Sequence, residues 1–247
     1  MAGEIELIAP DWPAPARVLA AATTRAGGVS SGAYASLNLG SHVGEDPAAV
    51  RENRRRLAAA LELPAEPLWL HQVHGVTVAE AAAKGMAPAA DAMIASCAGQ
   101  ICAVLTADCL PVLFCDEAGT RVAAAHAGWR GLAAGVLEAT VAALGRDGAP
   151  PGNLLAWLGP AIGGPAYEVG AEVRDAFPAG DRAAGFTLNS RERWQLDLAR
   201  IARRRLAAAG VGRVSGGGLC TFSDRARFFS YRRDGACGRQ ATLIWLE

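Results

Sequence analysis

The sequence ICAVLTADCLPVLFCD, residues 101–116, separates two apolar, strand-like segments by a polar step that contains Asp108 and Cys109. The segments 101–106 and 111–115 have the composition of buried strands. Such strands rarely carry an ionisable pair, because desolvating an unmatched charge costs several kcal/mol. Two interpretations follow: the strand breaks here for structural reasons, or Asp108 and Cys109 take part in chemistry.

The remaining secondary structure is predicted from apolar segments separated by Gly, Pro or charged turns. Further strands are predicted at residues 5–8, 17–23, 66–78, 121–125, 154–158, 227–231 and 240–246. Helices are predicted from Asp46-Pro47 to about Leu61, from near Arg130 to Gly145, over 170–177 and over 198–210. Because strands and helices do not alternate regularly, we expect a layered α+β fold with mixed sheets rather than a doubly wound sheet.

The composition excludes several classes of protein. Of the 247 residues, 51% are hydrophobic and 19% are charged, and the formal net charge is +0, so nothing favours disorder, nucleic acid or an anionic membrane. No apolar run reaches the roughly 18 residues that span a bilayer, and residues 1–12 lack the apolar segment of a signal peptide. The six cysteines form no CxxC pair, which favours free thiols in a reducing compartment. We expect a cytoplasmic protein that binds neither nucleic acid nor membranes.

Two of the four histidines lie in HQVHG, residues 71–75. The flanking PLWL and VTV predict a strand, and on a strand an offset of three places two side chains on opposite faces. At most one of His71 and His74 then belongs to a site. Gly75 lets the backbone turn, which gives a weak preference for His74.

His126 stands in VAAAHAGWRG, after a predicted strand and just before the helix that starts near Arg130. Functional residues concentrate on such connections, and the planar guanidinium of Arg130 suits phosphate or carboxylate. If strands 101–106 and 121–125 are neighbours, Cys109 and His126 emerge at the same rim.

A thiolate and one or two imidazoles at one rim allow two kinds of chemistry. Three protein ligands can hold a zinc ion with its fourth position open to water. Alternatively, a Cys–His pair can act as nucleophile and base. The spacings of 35 and 17 residues between His74, Cys109 and His126 match no compact zinc motif, and a buried Cys or a junction His is often only structural. Asp108 is expected to orient a neighbour or the substrate rather than to bind metal.

Two further segments have features of a ligand site. TTRAGGVSSGAYASLNLG, residues 23–40, is rich in Gly, Ser and Asn, and is either a ligand-facing loop headed by Arg25 or an ordinary surface loop. FFSYRRDG, residues 228–235, combines three aromatic rings with two arginines, and such rings are natural platforms for a flat ligand.

Five long motifs occur in the chain: QVHG (72–75), TADCLPVLFCD (106–116), HAGWRG (126–131), LGPAIG (158–163) and FFSYRRDG (228–235). Together with the segment 23–40, they resemble the YfiH/YlmD-type bacterial proteins. These are also called laccase-domain or multicopper polyphenol oxidase family proteins, purine nucleoside phosphorylases and peptidoglycan editing factors. The resemblance covers nearly the whole chain.

The resemblance implies a single catalytic domain, residues 1–247, with the layered α/β/β/α fold of the cytotoxic necrotising factor and YfiH-like cysteine hydrolases. It implies a zinc ion, with copper less favoured. Its metal ligands, which are also its catalytic residues, correspond to His74, Cys109 and His126. Contacts to substrate or phosphate are expected from Arg25, Asn38 and Arg130.

Three activities follow from the resemblance, all on small molecules. The first is phosphorolysis of purine nucleosides (adenosine, inosine and methylthioadenosine), with adenosine deamination beside it. The second is hydrolysis of a UDP-muropeptide precursor, removing L-serine from UDP-MurNAc-L-Ser. The third is copper-dependent oxidation of polyphenols, which we rank lowest because four histidines are too few for a multicopper cluster. A binding module without activity is disfavoured by the intact ligand set.

Overall fold

The computed structural model describes residues 3–81, 88–146 and 148–247, whose strands and helices alternate irregularly along the chain. The strands are β1 (Leu7–Ile8), β2 (Val18–Thr23), β3 (Val78–Glu80), β4 (Ala92–Ala95), β5 (Ile101–Thr106), β6 (Leu110–Asp116), β7 (Val122–Ala127), β8 (Leu154–Leu158), β9 (Glu168–Val169), β10 (Phe186–Leu188), β11 (Trp194–Leu196), β12 (Arg213–Gly216) and β13 (Gln240–Leu246). The helices are α1 (Pro47–Ala60), α2 (Trp129–Ala134), α3 (Val136–Gly145), α4 (Ala171–Asp175), α5 (Ala179–Gly185), α6 (Leu198–Ala208) and α7 (Tyr231–Asp234). Of these described helices, none has the length and apolar character needed to cross a bilayer.

The strands form an antiparallel sheet, a mixed sheet and a small third sheet. The first has the order β1-β2-β13-β5, and every neighbouring pair in it is antiparallel. The second has the order β12-β8-β6-β7-β4-β3, with parallel pairs at its two edges and antiparallel pairs between them. The third, β10-β11-β9, is antiparallel. The predicted α+β class with mixed sheets is confirmed.

Three apolar cores separate four layers. Leu57 of α1 packs against alternate residues of β5 and β13 on one face of the first sheet. The other face of that sheet packs directly on the second sheet, with Trp157 at this interface. The outer face of the second sheet is covered by α2, α3 and α6. The order of layers is therefore helix, sheet, sheet, helix, and the central strands are buried on both faces.

The chain passes from one sheet to the other in the segment TADC, residues 106–109. β5 ends at Thr106 in the first sheet, and β6 begins at Leu110 in the second. Between them Asp108 has a φ of 92°, which turns the backbone out of the strand direction. Since β5 and β6 belong to covered sheets, all their residues are buried, and Asp108 and Cys109 lie at the turn between them.

Helix boundaries agree with the sequence signals in two of the four predicted cases. α1 begins at Pro47 with the Asp46 carboxylate accepting a hydrogen bond from Ala48 N at 2.8 Å. α6 ends at Ala208, two residues before Gly210. The predicted helix from Arg130 to Gly145 is divided into α2 and α3 by Gly135, whose φ is 103°. The helix predicted over 170–177 is shorter and spans Ala171–Asp175.

The strands predicted over 66–78 and 227–231 are wrong, and both errors have the same cause. Gln72 donates to Leu105 O at 2.9 Å and accepts from Leu105 N at 2.8 Å, so its side chain takes the place of a paired strand. Gln240 likewise accepts from Phe229 N at 3.0 Å. An amide side chain carries the donor and acceptor of a peptide unit, so these segments meet the sheet as loops.

Candidate metal centre and substrate cleft

Three side chains with metal-binding donors converge where β6 and β7 leave the second sheet. One ligand atom each from His74, Cys109 and His126 lies within 4.8 Å of the other two. Over residues 3–81, 88–146 and 148–247, no other group of three such residues meets in this way. His126 is buried, Cys109 is half-buried and His74 is exposed, so the group opens to solvent on one side.

Pairing of β6 with β7 brings Cys109 next to His126. The two strands are antiparallel, with Leu110 opposite Ala127 and Pro111 opposite His126. Cys109 precedes the first of these pairs and therefore lies at the same end of the sheet. Strands 101–106 and 121–125 are not paired by hydrogen bonds, because β5 pairs with β13 in the other sheet.

Asp91, directly before β4, positions both histidines of the donor group, His74 and His126. Its Oδ1 lies 2.8 Å from His126 Nδ1 and accepts from His74 N at 2.9 Å. Its Oδ2 accepts from Gly75 N at 2.6 Å and from Val73 N at 3.2 Å. The Asp91 carboxylate is inaccessible to solvent and therefore defines both the backbone of the His74 turn and the orientation of the His126 ring.

Asp91 is the functional candidate that sequence reasoning missed. It stands alone in the apolar run AADAMIA, residues 89–95, much as Asp108 stands in the run that follows. The argument that a buried acid needs a partner applies equally to both residues. Applied to Asp91, it would have predicted a buried carboxylate with a specific partner.

His71 lies apart from the three donors, but the strand argument for this was wrong. The segment around it is a loop, in which His71 is exposed and forms an isolated bridge with Ala89. His74 has a φ of 59°, and its N–H bonds to Asp91 rather than to a neighbouring strand. The imidazoles of His71 and His74 are therefore separated by this turn, and not by the alternation of side chains along a strand.

The Asp91 carboxylate and the neighbouring thiol set the protonation of the site. Burial alone would lower the pKa of His126, but the charges of Cys109 and Asp91 and their hydrogen bonds raise it to about 9. Burial would raise the pKa of Asp91, yet hydrogen bonds from His126 and Gly75 hold it below its usual value. Burial, followed by the charge of His126, lowers the pKa of His74. The site therefore pairs an ionised carboxylate with the buried imidazole.

Asp108 ties together the segments that surround Cys109. Its carboxylate accepts from Thr221 Oγ1 at 2.6 Å and from Arg232 N at 2.6 Å. Its carbonyl accepts from Ile162 N at 2.9 Å. Asp108 therefore orients its neighbours and does not belong to the group of donors.

A cleft of about 450 Å³ opens over the three donors. Pockets for small molecules commonly measure about 300–1,000 Å³, so the cleft has the size for one. Its basic side chains are Arg130, Arg232 and Arg239. Its aromatic side chains are Trp129, Tyr167 and Tyr231. The cleft thus combines a ligand group for metal with positive charge and flat apolar surfaces.

The comparisons with known proteins agree with this arrangement. Residues 19–247 match the family model described as multi-copper polyphenol oxidoreductase laccase. The purine nucleoside phosphorylase YfiH of Escherichia coli is 53% identical over 243 residues, covering 98% of this chain and 99% of its own length.

The chain belongs to the YfiH-type family.

Other members of the YfiH-type family are similar along nearly their whole length. A purine nucleoside phosphorylase of Pseudomonas aeruginosa is 59% identical over 243 residues, covering 97% of this chain and 98% of its own length. A crystal structure of a Neisseria meningitidis protein has a TM-score of 0.91 at 52% identity, covering 98% of this chain and 99% of that one. The crystal structure of YlmD from Geobacillus stearothermophilus has a TM-score of 0.87 at 35% identity, covering 94% and 93%. The resemblance noted in the sequence is confirmed.

Of the other site residues expected from the YfiH-type family, Arg130 lines the cleft. Its guanidinium stacks on the Trp129 ring at 4.4 Å. Arg25 lines a separate cavity, where its Nε donates to Ala35 O at 2.8 Å and its guanidinium lies over Phe229 at 4.6 Å. Contact between Arg25 and substrate stays a prediction.

Asn38 is fully buried and acts on the cleft only through the backbone. Its amide nitrogen donates to Glu45 Oε2 at 2.6 Å and to Gly40 O at 3.1 Å. Its Oδ1 accepts from Arg239 N at 2.8 Å. Asn38 therefore positions Arg239 at the edge of the cleft, and direct contact between Asn38 and a ligand stays a prediction.

Gly128 gives a steric test of the donor group. Its φ of −62° suits alanine, but a Cβ would lie 2.7 Å from His74 Nδ1 and 3.0 Å from Cys109 Sγ. We expect Gly128→Ala to displace these donors and to weaken the affinity of the group for a metal ion, measured with added zinc, by about 10–100-fold. Competition with a chelator measures the affinity, and Gly145→Ala, with nothing within 4 Å of its Cβ, is the matched control. Equal zinc affinity in the two variants would contradict the assignment of this group.

Proposed function

We propose that the protein is a zinc-dependent purine nucleoside phosphorylase, acting on adenosine, inosine and methylthioadenosine through a single catalytic domain of residues 1–247. The observation that carries the proposal is the meeting of His74, Cys109 and His126 in a cleft lined by arginines and aromatic rings. Relatives at 59% and 53% identity are named purine nucleoside phosphorylases, which supports the same reaction for this chain.

The donor set fits zinc. Imidazole nitrogen and thiolate sulfur are both zinc ligands, and catalytic zinc sites have three protein ligands with the fourth position open. Zn–N and Zn–S bonds of about 2.0 and 2.3 Å put tetrahedral donors about 3.5 Å apart, and donors within 4.8 Å of one another need only small adjustments to share an ion. The Asp91–His126 hydrogen bond is the outer contact that metal-binding histidines usually have.

Copper is less favoured as the resident metal. A multicopper oxidase divides oxygen reduction among several ions, each with its own histidine-rich ligands. The chain contains four histidines in all, and one group of three donors is present in the part of it that the structure describes. The family name therefore supports the fold and the site more than it supports phenol oxidation.

The residues of the cleft can bind both substrates of phosphorolysis. Arg130 has its guanidinium on the Trp129 ring, and no other described residue accepts a hydrogen bond from it, which leaves its donors for phosphate. Arg239 and Arg232 are held by backbone carbonyls at the same cleft. Tyr231 is 59% exposed and offers a free ring face for a purine.

The reaction itself exchanges two bonds at the anomeric carbon. The glycosidic C–N bond breaks with its electron pair passing to the purine, a phosphate oxygen bonds to C1′, and the proton of hydrogen phosphate passes to the purine nitrogen. Arginines around the phosphate stabilise the charge that redistributes during this exchange. A zinc ion at His74, Cys109 and His126 would add a Lewis acid that also lowers the pKa of a water to about 7, as deamination of adenosine requires.

Incubation of the purified protein with inosine and phosphate tests the proposal. We expect equal amounts of hypoxanthine and ribose 1-phosphate, and almost no hypoxanthine when sulfate replaces phosphate at the same ionic strength. The arginines of the cleft bind either anion, but only phosphate completes the reaction as written. Release of hypoxanthine at the same rate without phosphate would reject phosphorolysis and indicate hydrolysis.

The same preparation separates the other activities expected from the family resemblance. Adenosine deamination gives inosine and ammonia, and editing of UDP-MurNAc-L-Ser releases free serine. Oxidation of a phenol requires copper and oxygen. Metal analysis of protein that was never exposed to added copper distinguishes zinc from copper. A preparation with copper and phenol oxidation, but without nucleoside cleavage, would replace the present proposal.

A further inference from the structure

Thr106 has a buried hydroxyl without a partner at the edge of the cleft. The residue is 2% exposed, and its Oγ1 makes no hydrogen bond with any described residue. Buried hydroxyls in native proteins nearly always have a partner, since leaving one unpaired destabilises the fold. Thr106 is one of the residues that line the cleft over the metal centre. A bound ligand is therefore an available partner for this hydroxyl.

Packing does not require a hydroxyl at this position. Thr106 is the last residue of β5, and alternation along the strand places it on the same face as Cys102 and Val104. Those two residues belong to the apolar core between the sheets. The Thr106 backbone pairs with Gln240 of β13, so the pairing of the strands does not depend on the Thr106 side chain. Valine, which has the same shape, would continue the apolar face.

Thr242 shows what an equivalent hydroxyl looks like away from the cleft. It is 1% exposed and its Oγ1 also lacks a partner. It lies on β13 opposite Val104, on the same face as Ile244 of the core between the sheets. Thr242 does not line the cleft. The two threonines thus share burial and the missing partner, and differ in access to a ligand.

We propose that Thr106 Oγ1 recognises the 2′- or 3′-hydroxyl of the nucleoside bound in the cleft, an inference that rests on the proposed function. A threonine hydroxyl both donates and accepts, which matches the two roles of an alcohol on the ribose. The phosphate is assigned to Arg130 and its neighbours, and the purine to the aromatic rings. Rotation about the Cα–Cβ bond exchanges methyl and hydroxyl between staggered positions, so the hydroxyl can turn toward the ligand.

The test compares Thr106→Val with Thr242→Val in the zinc-loaded protein. We expect Thr106→Val to raise KM for inosine by about tenfold, because the ligand hydroxyl loses its partner in a buried site. Thr106→Ser should retain most of the wild-type affinity. With 2′-deoxyinosine or 3′-deoxyinosine, whichever lacks the recognised hydroxyl, Thr106→Val and wild type should have the same KM. Thr242→Val should have wild-type kinetics with all three nucleosides.

Binding of inosine by titration calorimetry and thermal unfolding complete the experiment. A Thr106→Val protein with wild-type KM for inosine would overturn the proposal, and so would an equal loss with inosine and both deoxynucleosides. A rise in KM for phosphate instead of inosine would also overturn it. If wild-type protein is active while Thr106→Val is unchanged, only the role of Thr106 fails. If wild-type protein neither binds nor cleaves inosine, the proposed function fails and the Thr106 proposal fails with it.

Discussion

With the function proposed above, replacing Cys109 by alanine is expected to remove the zinc ion and to lower kcat/KM for inosine phosphorolysis by more than about a hundredfold. That figure is the upper end of the usual effect of changing an outer contact of a metal ligand, and the loss of a direct ligand should exceed it. Cys109 supplies the sulfur of the group whose donors lie within 4.8 Å of one another. Without it, two imidazoles remain, which is too few for a stable three-ligand site.

Metal content by elemental analysis and initial rates with inosine and phosphate measure this effect. Cys97→Ala is the matched control, because Cys97 is an exposed thiol outside the group of donors and its loss should leave both quantities unchanged. Far-ultraviolet circular dichroism checks that Cys109→Ala is folded. A folded Cys109→Ala protein with one zinc per chain and wild-type activity would remove the basis of the proposed site.

Replacing Asp91 by asparagine is expected to weaken zinc binding by about 10–100-fold. The carboxylate takes part in four hydrogen bonds, with His126 Nδ1, His74 N, Gly75 N and Val73 N. An asparagine amide replaces one acceptor oxygen by a donor, so it cannot satisfy all four groups. We also expect the free energy of unfolding to fall by about 1–3 kcal/mol for each buried group left unpaired.

A variant of a second buried aspartate, Asp116, serves as the control that distinguishes a loss of zinc affinity from a loss of stability. Asp116 lies at the other end of β6 from Cys109 and accepts from Thr120 N at 2.7 Å and Arg121 N at 2.9 Å. We expect Asp116→Asn to lower stability without changing zinc affinity. Urea unfolding and chelator competition on both variants give the comparison. Equal zinc affinity in Asp91→Asn and Asp116→Asn would show that Asp91 supports the fold but does not position the ligands.

Much of the fold follows from local sequence signals. The apolar segments around 101–106 and 111–115 are strands, and the Asp46-Pro47 signal begins a helix, because burial pattern and capping act over a few residues. The segments 66–78 and 227–231 are not strands because glutamine side chains make their contacts to the sheet: Gln72 of the first segment bonds to the Leu105 backbone, and Gln240 of β13 bonds to Phe229 in the second. Such substitution of a side chain for a strand leaves no mark in the local pattern.

Parts of the candidate site, like parts of the fold, were predicted from the sequence, and other parts were not. The residue types placed Cys109 and His126 at one rim with a weak preference for His74, and the family resemblance implied the full set of three donors. The role of Asp91 could not, because its partners lie 16 to 35 positions away along the chain. Asn38 is buried and accepts a hydrogen bond from Arg239 N, a role that its position in the sequence does not indicate, and its contact with substrate stays a prediction.

The sequence by itself determined which segments are buried, which side chains can bind metal and where an acid interrupts an apolar run. Only the tertiary structure decided that β5 and β6 lie in different sheets, so that the turn between them places Cys109 beside His126. It also decided that one buried carboxylate holds both histidines. Local signals report the preferences of neighbouring residues, whereas a site of this kind depends on strand pairing and contacts between residues far apart in the chain.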